Sequence, residues 1–540
     1  MNLEGANLRD TKANLILLFC LILYLLITLP LSDWIIDDAG ITFSYARSLA
    51  GGHGLVSQPG MEPVEGYSNF LWLIFMVPFF ILGIFDPYVI PKIISFLLVA
   101  VTYLFVHKSL YSITKSYIVS FVVLLSISLN ASFVIWTCSG LENPLYIALI
   151  SILFYSQLKI LSENKISLRD GVVSAFLATA IGLTRPDGIL YAIIFPVTLL
   201  IYFISRKESS IKPSLQCLGA FVLSFLGAFG SFILFRWLYF GAIYPNTYFA
   251  KATNLTVSID RVLTLQQPYL SKLTTLLGSV VTLKGAFLTI VILIALSTML
   301  LIFKKETKSH ILILTFLFIS GFIYLILPVD WMGEYRFATA FFVFFYILLF
   351  VQLFSVISLT KFQERTKLYM MTGLSVCIIG VTLWKHVPRF KSAYKNKIVS
   401  FERIAKAYAF KFNELADEMQ IKNGSVLLPD IGGTLYYSNL KVYDMVGLCD
   451  KVIAKTLRND KETFYNYVFE EIKPTYIHIH GNWTLATNFD SDERFRRDYQ
   501  PINEYQDEWI IKQTGKLMMS GDYVRKDALK ESENEASSKL

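Results

Sequence analysis

Asp33–Trp72 reads DWIIDDAGITFSYARSLAGGHGLVSQPGMEPVEGYSNFLW and follows directly on the apolar run 14–32. It gathers Asp37, Asp38, Arg47, His53, Glu65, Tyr67 and Asn69 in a chain that elsewhere avoids charge. Only 17% of the 540 residues are charged and 54% are hydrophobic, with a mean hydropathy of +0.52. Soluble domains carry about a quarter charged residues, so a water-soluble chain and a disordered one are both excluded. The net charge of +8 fits Lys and Arg on the cytoplasmic side of a membrane protein better than a nucleic-acid surface. The five cysteines form no CxxC pair, which leaves no disulfide or zinc framework.

Working outward, apolar runs near 20 residues read as transmembrane helices, because about 20 residues cross the roughly 30 Å hydrocarbon layer. They fall at 14–32, 88–107, 117–136, 143–161, 214–238, 284–303, 309–327, 339–359 and 367–386. The stretch 171–204 is too long for one span and is interrupted by TRPDG at 184–188. Pro186 and Gly188 fit a turn, so two short spans are expected, 171–184 and 187–204. The remaining run, 69–85, is decided by loop charge. If it does not cross, loops 108–116, 159–169, 205–213, 304–310 and 360–367, each with two or three Lys or Arg, share one side. Letting it cross would put all of them outside, against the positive-inside rule. The run 69–85 is therefore read as interfacial or re-entrant, giving about eleven spans with the N-terminus inside and the C-terminus outside. The run 14–32 is too long for a cleaved signal peptide.

Near residue 387 the composition turns charged and mixed. Residues 1–386 read as a transmembrane domain with a first outer loop at 33–87, and 387–540 as an extracytoplasmic domain. In it 401–420 has helical periodicity, while 425–430, 440–447 and 474–480 are strand-like, which predicts a small α/β unit. The tail from about 526 is polar and reads as disordered.

The unusual polar residues lie opposite the basic loops. The first outer loop is joined by Glu142 in SGLENP, Arg185 and Asp187 in TRPDG, Asn246, Tyr248 and Lys251 in GAIYPNTYFAK, and Asp330, Glu334 and Arg336 in DWMGEYRF. Each has a plain structural reading: Asp37 and Asp38 could cap a helix, Arg185 could pair with Asp187, and Asn246 could form a turn. Taken together they point to one shared site. Arg and Lys hold a phosphate by charge-assisted hydrogen bonds, Arg in bidentate fashion and Lys as a point charge. A carboxylate can take a proton from a hydroxyl or hold a divalent cation, the one cofactor that Asp37 and Asp38 would suit.

On these residues the sequence resembles the GT-C superfamily of polyprenyl-phosphate-dependent glycosyltransferases. The likeness is closest to the branch containing the mycobacterial terminal β-(1→2)-arabinofuranosyltransferase. SGLENPLY, LTRPDG, YFGAIYPNTYFAK, DWMGEYRF and LPDIGGTLYYSNLKVYDMVGLCD also resemble blocks of that branch, in order, over about 35–450. Gly40 stands where the pattern is usually aromatic and Ser44 where it usually has Arg, departures that bear on the sugar. The resemblance implies a GT-C fold and inverting transfer of a sugar, arabinofuranose or another pentose or hexose, from a polyprenyl-phosphate donor. The acceptor would be a glycan, lipopolysaccharide or lipid outside a bacterial inner membrane. Asp37 or Asp38 is expected as general base, and Arg47, Arg185, Lys251 and Arg336 as donor-phosphate ligands, Lys251 and Arg336 foremost. His53, Glu65, Tyr67, Asn69, Glu142, Asn246, Asp330 and Glu334 are expected to contact sugar or acceptor. A transporter or flippase, or a non-catalytic scaffold of this fold, is the alternative. Transporters place charge near the bilayer midplane and often show two related halves, and neither is visible here.

Overall fold

The structure is a computed structural model that describes residues 3–163, 165–206, 211–251, 255–264, 266–280, 283–302, 307–328 and 330–530. Lys207, Lys304 and Lys305 of the basic loops, and the tail from 531, lie outside the described residues. Residues 526–530, at the start of the tail read as disordered, form a helical turn. The chain divides into two compact units: Met1–Asp33, Tyr88–Phe232 and Asn254–Ile398 form one, and Trp34–Pro87, Ile233–Thr253 and Val399–Leu540 the other. The change near 387 falls inside the helix Glu364–Lys395, and the second unit resumes at Val399.

The first unit is helical. Among the described residues eight helices are long and apolar enough to cross a membrane, or nine if the pair Tyr117–Ser128 and Ala131–Thr137, bent by 67°, is one span. The other two expected spans are helices as well, Leu168–Thr184 of 17 residues and Leu283–Ile302 of 20. The bend leaves backbone groups to be satisfied in the interior. Asn130 Oδ1 accepts the N–H of Phe133 at 2.9 Å, and His386 Nδ1 accepts that of Ala131 at 3.1 Å, as a buried break requires. TRPDG breaks the chain between Leu168–Thr184 and a 3₁₀ turn at Pro186–Ile193. Gly188 is needed there, because a Cβ would lie 2.5 Å from the Ile181 carbonyl oxygen.

The second unit is α/β. Its five-stranded sheet has the order β2-β1-β3-β5-β4, with β1 Ser425–Leu428, β2 Lys441–Asp444, β3 Tyr476–Ile479, β4 Tyr499–Gln506 and β5 Met519–Arg525. β1 pairs parallel with β2 and β3, whereas β5 is antiparallel to β3 and β4. The first outer loop belongs to this unit. Ile36 bridges Ser400, Asp37 N–H donates to Val399 at 3.1 Å, and Phe401 N–H to Ile35 at 2.9 Å. The run 69–85 contributes the helix Phe70–Ile81, of 12 residues. At 1.5 Å per residue it is about 18 Å long, too short to cross.

Candidate active site

The helix Asp37–Ala50 starts at the aspartate pair, and acidic residues in a first turn suit the positive end of the helix dipole. The two side chains do different things. Asp37 is 5% exposed. Its Oδ1 accepts the Gly433 N–H at 2.7 Å and its Oδ2 the Gly432 N–H at 3.1 Å. Burial raises its pKa, as do the like charges of Asp38 and Asp430, against the pull of the two N–H donors. Asp38 is half-buried.

Close backbone approach explains the local sequence. A Cβ on Gly432 would lie 1.9 Å from the Asp37 carbonyl oxygen, and one on Gly40 would lie 2.4 Å from the Gly432 carbonyl oxygen. Position 40 therefore has no room for a side chain, because the 431–433 turn occupies that space. Ser44 is fully buried, and among the described residues its hydroxyl has no hydrogen-bond partner.

A third carboxylate joins the pair from the end of β1. Burial pushes Asp430 up to about 6; the neighbouring charge of Asp38 adds to this and His478 opposes it. Behind Asp430 runs a chain of polar groups. His480 Nε2 is 3.5 Å from Asp430 Oδ2, His480 Nδ1 is 3.0 Å from His478 Nε2, and His478 Nδ1 is 2.8 Å from Asp522 Oδ1. Lys411 closes the chain on Asp522 Oδ2. With the Nδ1 proton of His478 given to Asp522, His478 Nε2 accepts the Nδ1 proton of His480, and His480 Nε2 faces Asp430 as a proton acceptor. Burial and the neighbouring His478 hold His480 down at about 4, so it is neutral near pH 7.

Sequence reasoning missed Asp430, His478, His480 and Asp522. The signal was present: in PTYIHIH the two histidines are two residues apart, which puts them on one face of a strand.

The other candidates of this unit are held in structural bonds. Arg47 donates to the carbonyls of Tyr436 at 2.8 Å and Leu435 at 3.1 Å, closing the helix Gly432–Tyr437, and lies over the Tyr436 ring. Glu65 is buried in an ion pair with Arg236, Nε to Oε2 at 2.6 Å; burial pushes its pKa up to about 7 against that pairing. Asn69 bonds Thr42, and Tyr67 packs edge-on against Tyr45. Asn246 Nδ2 donates to the carbonyls of Gly447, Leu448 and Asp450 at 2.7, 3.0 and 3.1 Å. His53 and Lys251 are exposed.

The first unit carries its own polar constellation. Arg185, almost fully buried, is held by Glu142 at 3.0 Å and Asp187 at 3.0 Å. The opposite carboxylates keep the guanidinium charged, its pKa raised despite burial. In the same unit, a cavity of about 570 Å³ is lined by Lys272, Asp330, Glu334, Tyr335, Arg336 and Arg389 among others. Arg336 lies 3.5 Å from Asp330, and Arg389 Nε donates to Glu334 Oε2 at 2.8 Å. Lys272 Nζ donates to the Leu327 carbonyl at 2.6 Å, at the end of the helix Thr307–Ile326; burial pushes it down to about 8. Three cations against two carboxylates give this cavity a positive balance, which suits a phosphate. Lys272 and Arg389 were not among the sequence candidates.

Both oxygens of Asp37 already accept N–H groups. Among the described residues no group of three or more His, Cys, Asp or Glu is placed to hold a metal ion.

Three comparisons bear on this geometry. A family model described as a domain of unknown function (DUF8728) matches residues 403–524. No curated protein matches the chain by sequence. In structure the chain is similar to ArnT from Cupriavidus metallidurans, solved bound to undecaprenyl phosphate, with 11% identity, coverage of 94% of this chain and 97% of that one, and a TM-score of 0.54. It is also similar to the archaeal oligosaccharyltransferase AglB from Archaeoglobus fulgidus, solved with an inhibitory peptide and a dolichol-phosphate, with 10% identity, coverage of 95% and 74%, and a TM-score of 0.52. The oligosaccharyltransferase of the same organism solved with Zn and sulfate gives 10% identity, coverage of 94% and 73%, and a TM-score of 0.54. At such identities the likeness is one of fold. The chain is a multi-pass membrane protein of GT-C fold with a C-terminal α/β unit.

Proposed function

We propose that the protein is an inverting glycosyltransferase that moves a sugar from a polyprenyl-phosphate donor to a glycan acceptor outside a bacterial inner membrane. The observation that carries the reading is the division of labour in the aspartate pair: Gly432 and Gly433 fix Asp37, while half-buried Asp38 stands beside Asp430. Asp38 takes the proton of the acceptor hydroxyl as that oxygen bonds to the anomeric carbon. The bond from that carbon to the phosphate oxygen breaks, and polyprenyl phosphate departs with the electron pair. General-base help of this kind contributes about 10²–10⁴-fold. Lys251 in the second unit, and Arg336 with Lys272 and Arg389 in the first, are the candidate cations for a lipid phosphate, whose charge grows as it leaves. Asp430, with a pKa near 6, accepts the proton from Asp38, and neutral His480 lies next in line. The fold of ArnT and AglB supports this reading, as does the first-loop resemblance, whose branch makes arabinofuranose the first donor sugar to try. The test is transfer by purified protein in lipid, supplied with polyprenyl-phosphate sugars, with Asp38→Asn beside wild type.

A further inference from the structure

The α/β unit holds a second cavity, of about 780 Å³, lined by His480, Gly481, Asn482 and Trp483 on one side and Tyr505, Gln506, Asp507, Glu508 and Trp509 on the other. Its volume falls in the range of roughly 300–1,000 Å³ seen for ligand clefts. A buried carboxylate fixes its walls. Asp507 Oδ2 accepts the Gly481 N–H at 2.7 Å and the Ser520 hydroxyl at 2.7 Å, while Oδ1 accepts the N–H groups of Trp509 and Ile510 at 3.0 and 3.2 Å. One side chain therefore joins the turn after β3 to the turn after β4 and sets the width between them. Within this frame Trp509 is 46% and Tyr505 43% exposed, and Trp483 is half-buried with one side against the core. Asn482, Gln506 and Glu508 are exposed beside the rings.

We propose that this cleft binds the acceptor, and that the acceptor is a neutral oligosaccharide. The proposal rests on the transferase reading above and names the acceptor class for it. A sugar ring has an apolar C–H face and a rim of hydroxyls. Exposed aromatic faces match the first, and amide and carboxylate groups, which accept or donate in fixed directions, match the second. The charge of the lining excludes the obvious competitors. None of the lining residues is Lys or Arg, and Asp507 and Glu508 are acidic. A nucleic acid or an anionic lipid surface calls for cations, and an acidic glycan would be repelled. Position supports the acceptor over a bystander ligand: His480 lines the cleft and also faces Asp430 at 3.5 Å. The cleft thus adjoins, through His480, the carboxylate of Asp430, which feels the charge of Asp38.

The experiment uses the full chain in nanodiscs against an array of neutral oligosaccharides (arabinans, galactans, glucans and mannans) with sialylated and uronic-acid glycans as acidic controls. Wild type, Trp509→Ala, Trp509→Phe and Tyr505→Ala are compared, each checked by thermal melt with and without a polyprenyl phosphate. The expected result is binding to at least one neutral class, about tenfold weaker in Trp509→Ala and weaker in Tyr505→Ala, and restored by Trp509→Phe. Binding only of acidic glycans, binding unaffected by Trp509→Ala, or no glycan binding by protein whose melt still responds to polyprenyl phosphate overturns the cleft assignment and leaves the transferase reading standing. Glycan binding lost in Trp509→Ala, in protein whose melt ignores every lipid phosphate, upholds the cleft as a glycan site and sinks the transferase reading instead.

Discussion

The N–H of Gly433 donates to Asp37 Oδ1 at 2.7 Å across 396 positions of sequence. This bond and its neighbour from Gly432 tie the first outer loop to the turn after β1, and they give the two adjacent aspartates separate duties.

Asp37→Asn is expected to act on stability. The amide offers N–H₂ to one backbone donor that needs an acceptor, and leaving a buried group unsatisfied costs about 1–3 kcal/mol. Asp38→Asn, at a half-buried position, is expected to leave the melt within about 0.5 kcal/mol of wild type while removing transfer. Thermal melts and turnover of both variants, measured side by side, check this.

Gly432→Ala has no space for its methyl group, which would fall on the Asp37 backbone. Overpacking of this kind costs about 1–3 kcal/mol. The expected outcome is a lower melting temperature, together with faster hydrogen exchange at the start of the helix Asp37–Ala50. A wild-type melt would show that the two turns do not pack as described.

Acidity gives a signed test. Asp430 has its pKa raised by burial to about 6, against about 3.9 in an unfolded chain. The folded state holds the proton longer, so this residue lowers stability as pH rises from about 4 to about 6 and adds no further change above that. Asp430→Asn removes the titration and is expected to be stabilising by roughly 1–3 kcal/mol at pH 7.5 relative to its effect at pH 4. Denaturation of both proteins at the two pH values measures the difference; an equal effect at both would deny the raised pKa.

Glu65 was read from the sequence as a sugar contact, and its bidentate pairing with Arg236 supports a structural duty. Removing one partner of a buried ion pair costs about 3–5 kcal/mol. Arg236→Met and Glu65→Ala are thus expected to lower folded yield and melting temperature sharply. The exposed pair Lys397–Asp33 should cost less than about 1 kcal/mol.

In the positive cavity, Lys272 loses its charge as pH rises through about 8, so affinity for polyprenyl phosphate is expected to fall above that pH. Lys272→Met should bind the lipid about tenfold less tightly and lose this pH dependence. Titration of the melt with polyprenyl phosphate from pH 6.5 to 9 follows both.

The contrast between legible and hidden features has a physical basis. Spans, the break at TRPDG and the short helix Phe70–Ile81 were legible because hydropathy and loop charge act over about 20 residues. β1, β2 and β3 were legible as apolar runs. β4, YQPINEYQ, was not, since it is mostly exposed and contains Pro501, and edge strands of that kind carry no apolar alternation. The duties of Asp37, Arg47 and Asn246 depend on backbone groups some 200 to 396 residues away, beyond any local pattern. Arg236 left a usable clue, an arginine inside the apolar run 214–238, which signals a buried partner.

The most direct test is release of free polyprenyl phosphate by wild type and Asp38→Asn in lipid, across a panel of polyprenyl-phosphate sugars with a glycan acceptor present. The account expects release from one donor by wild type, and none by Asp38→Asn, with the donor stabilising both proteins equally against heat. If no donor is turned over or stabilises the fold, or if Asp38→Asn releases lipid phosphate at the wild-type rate, the account is contradicted.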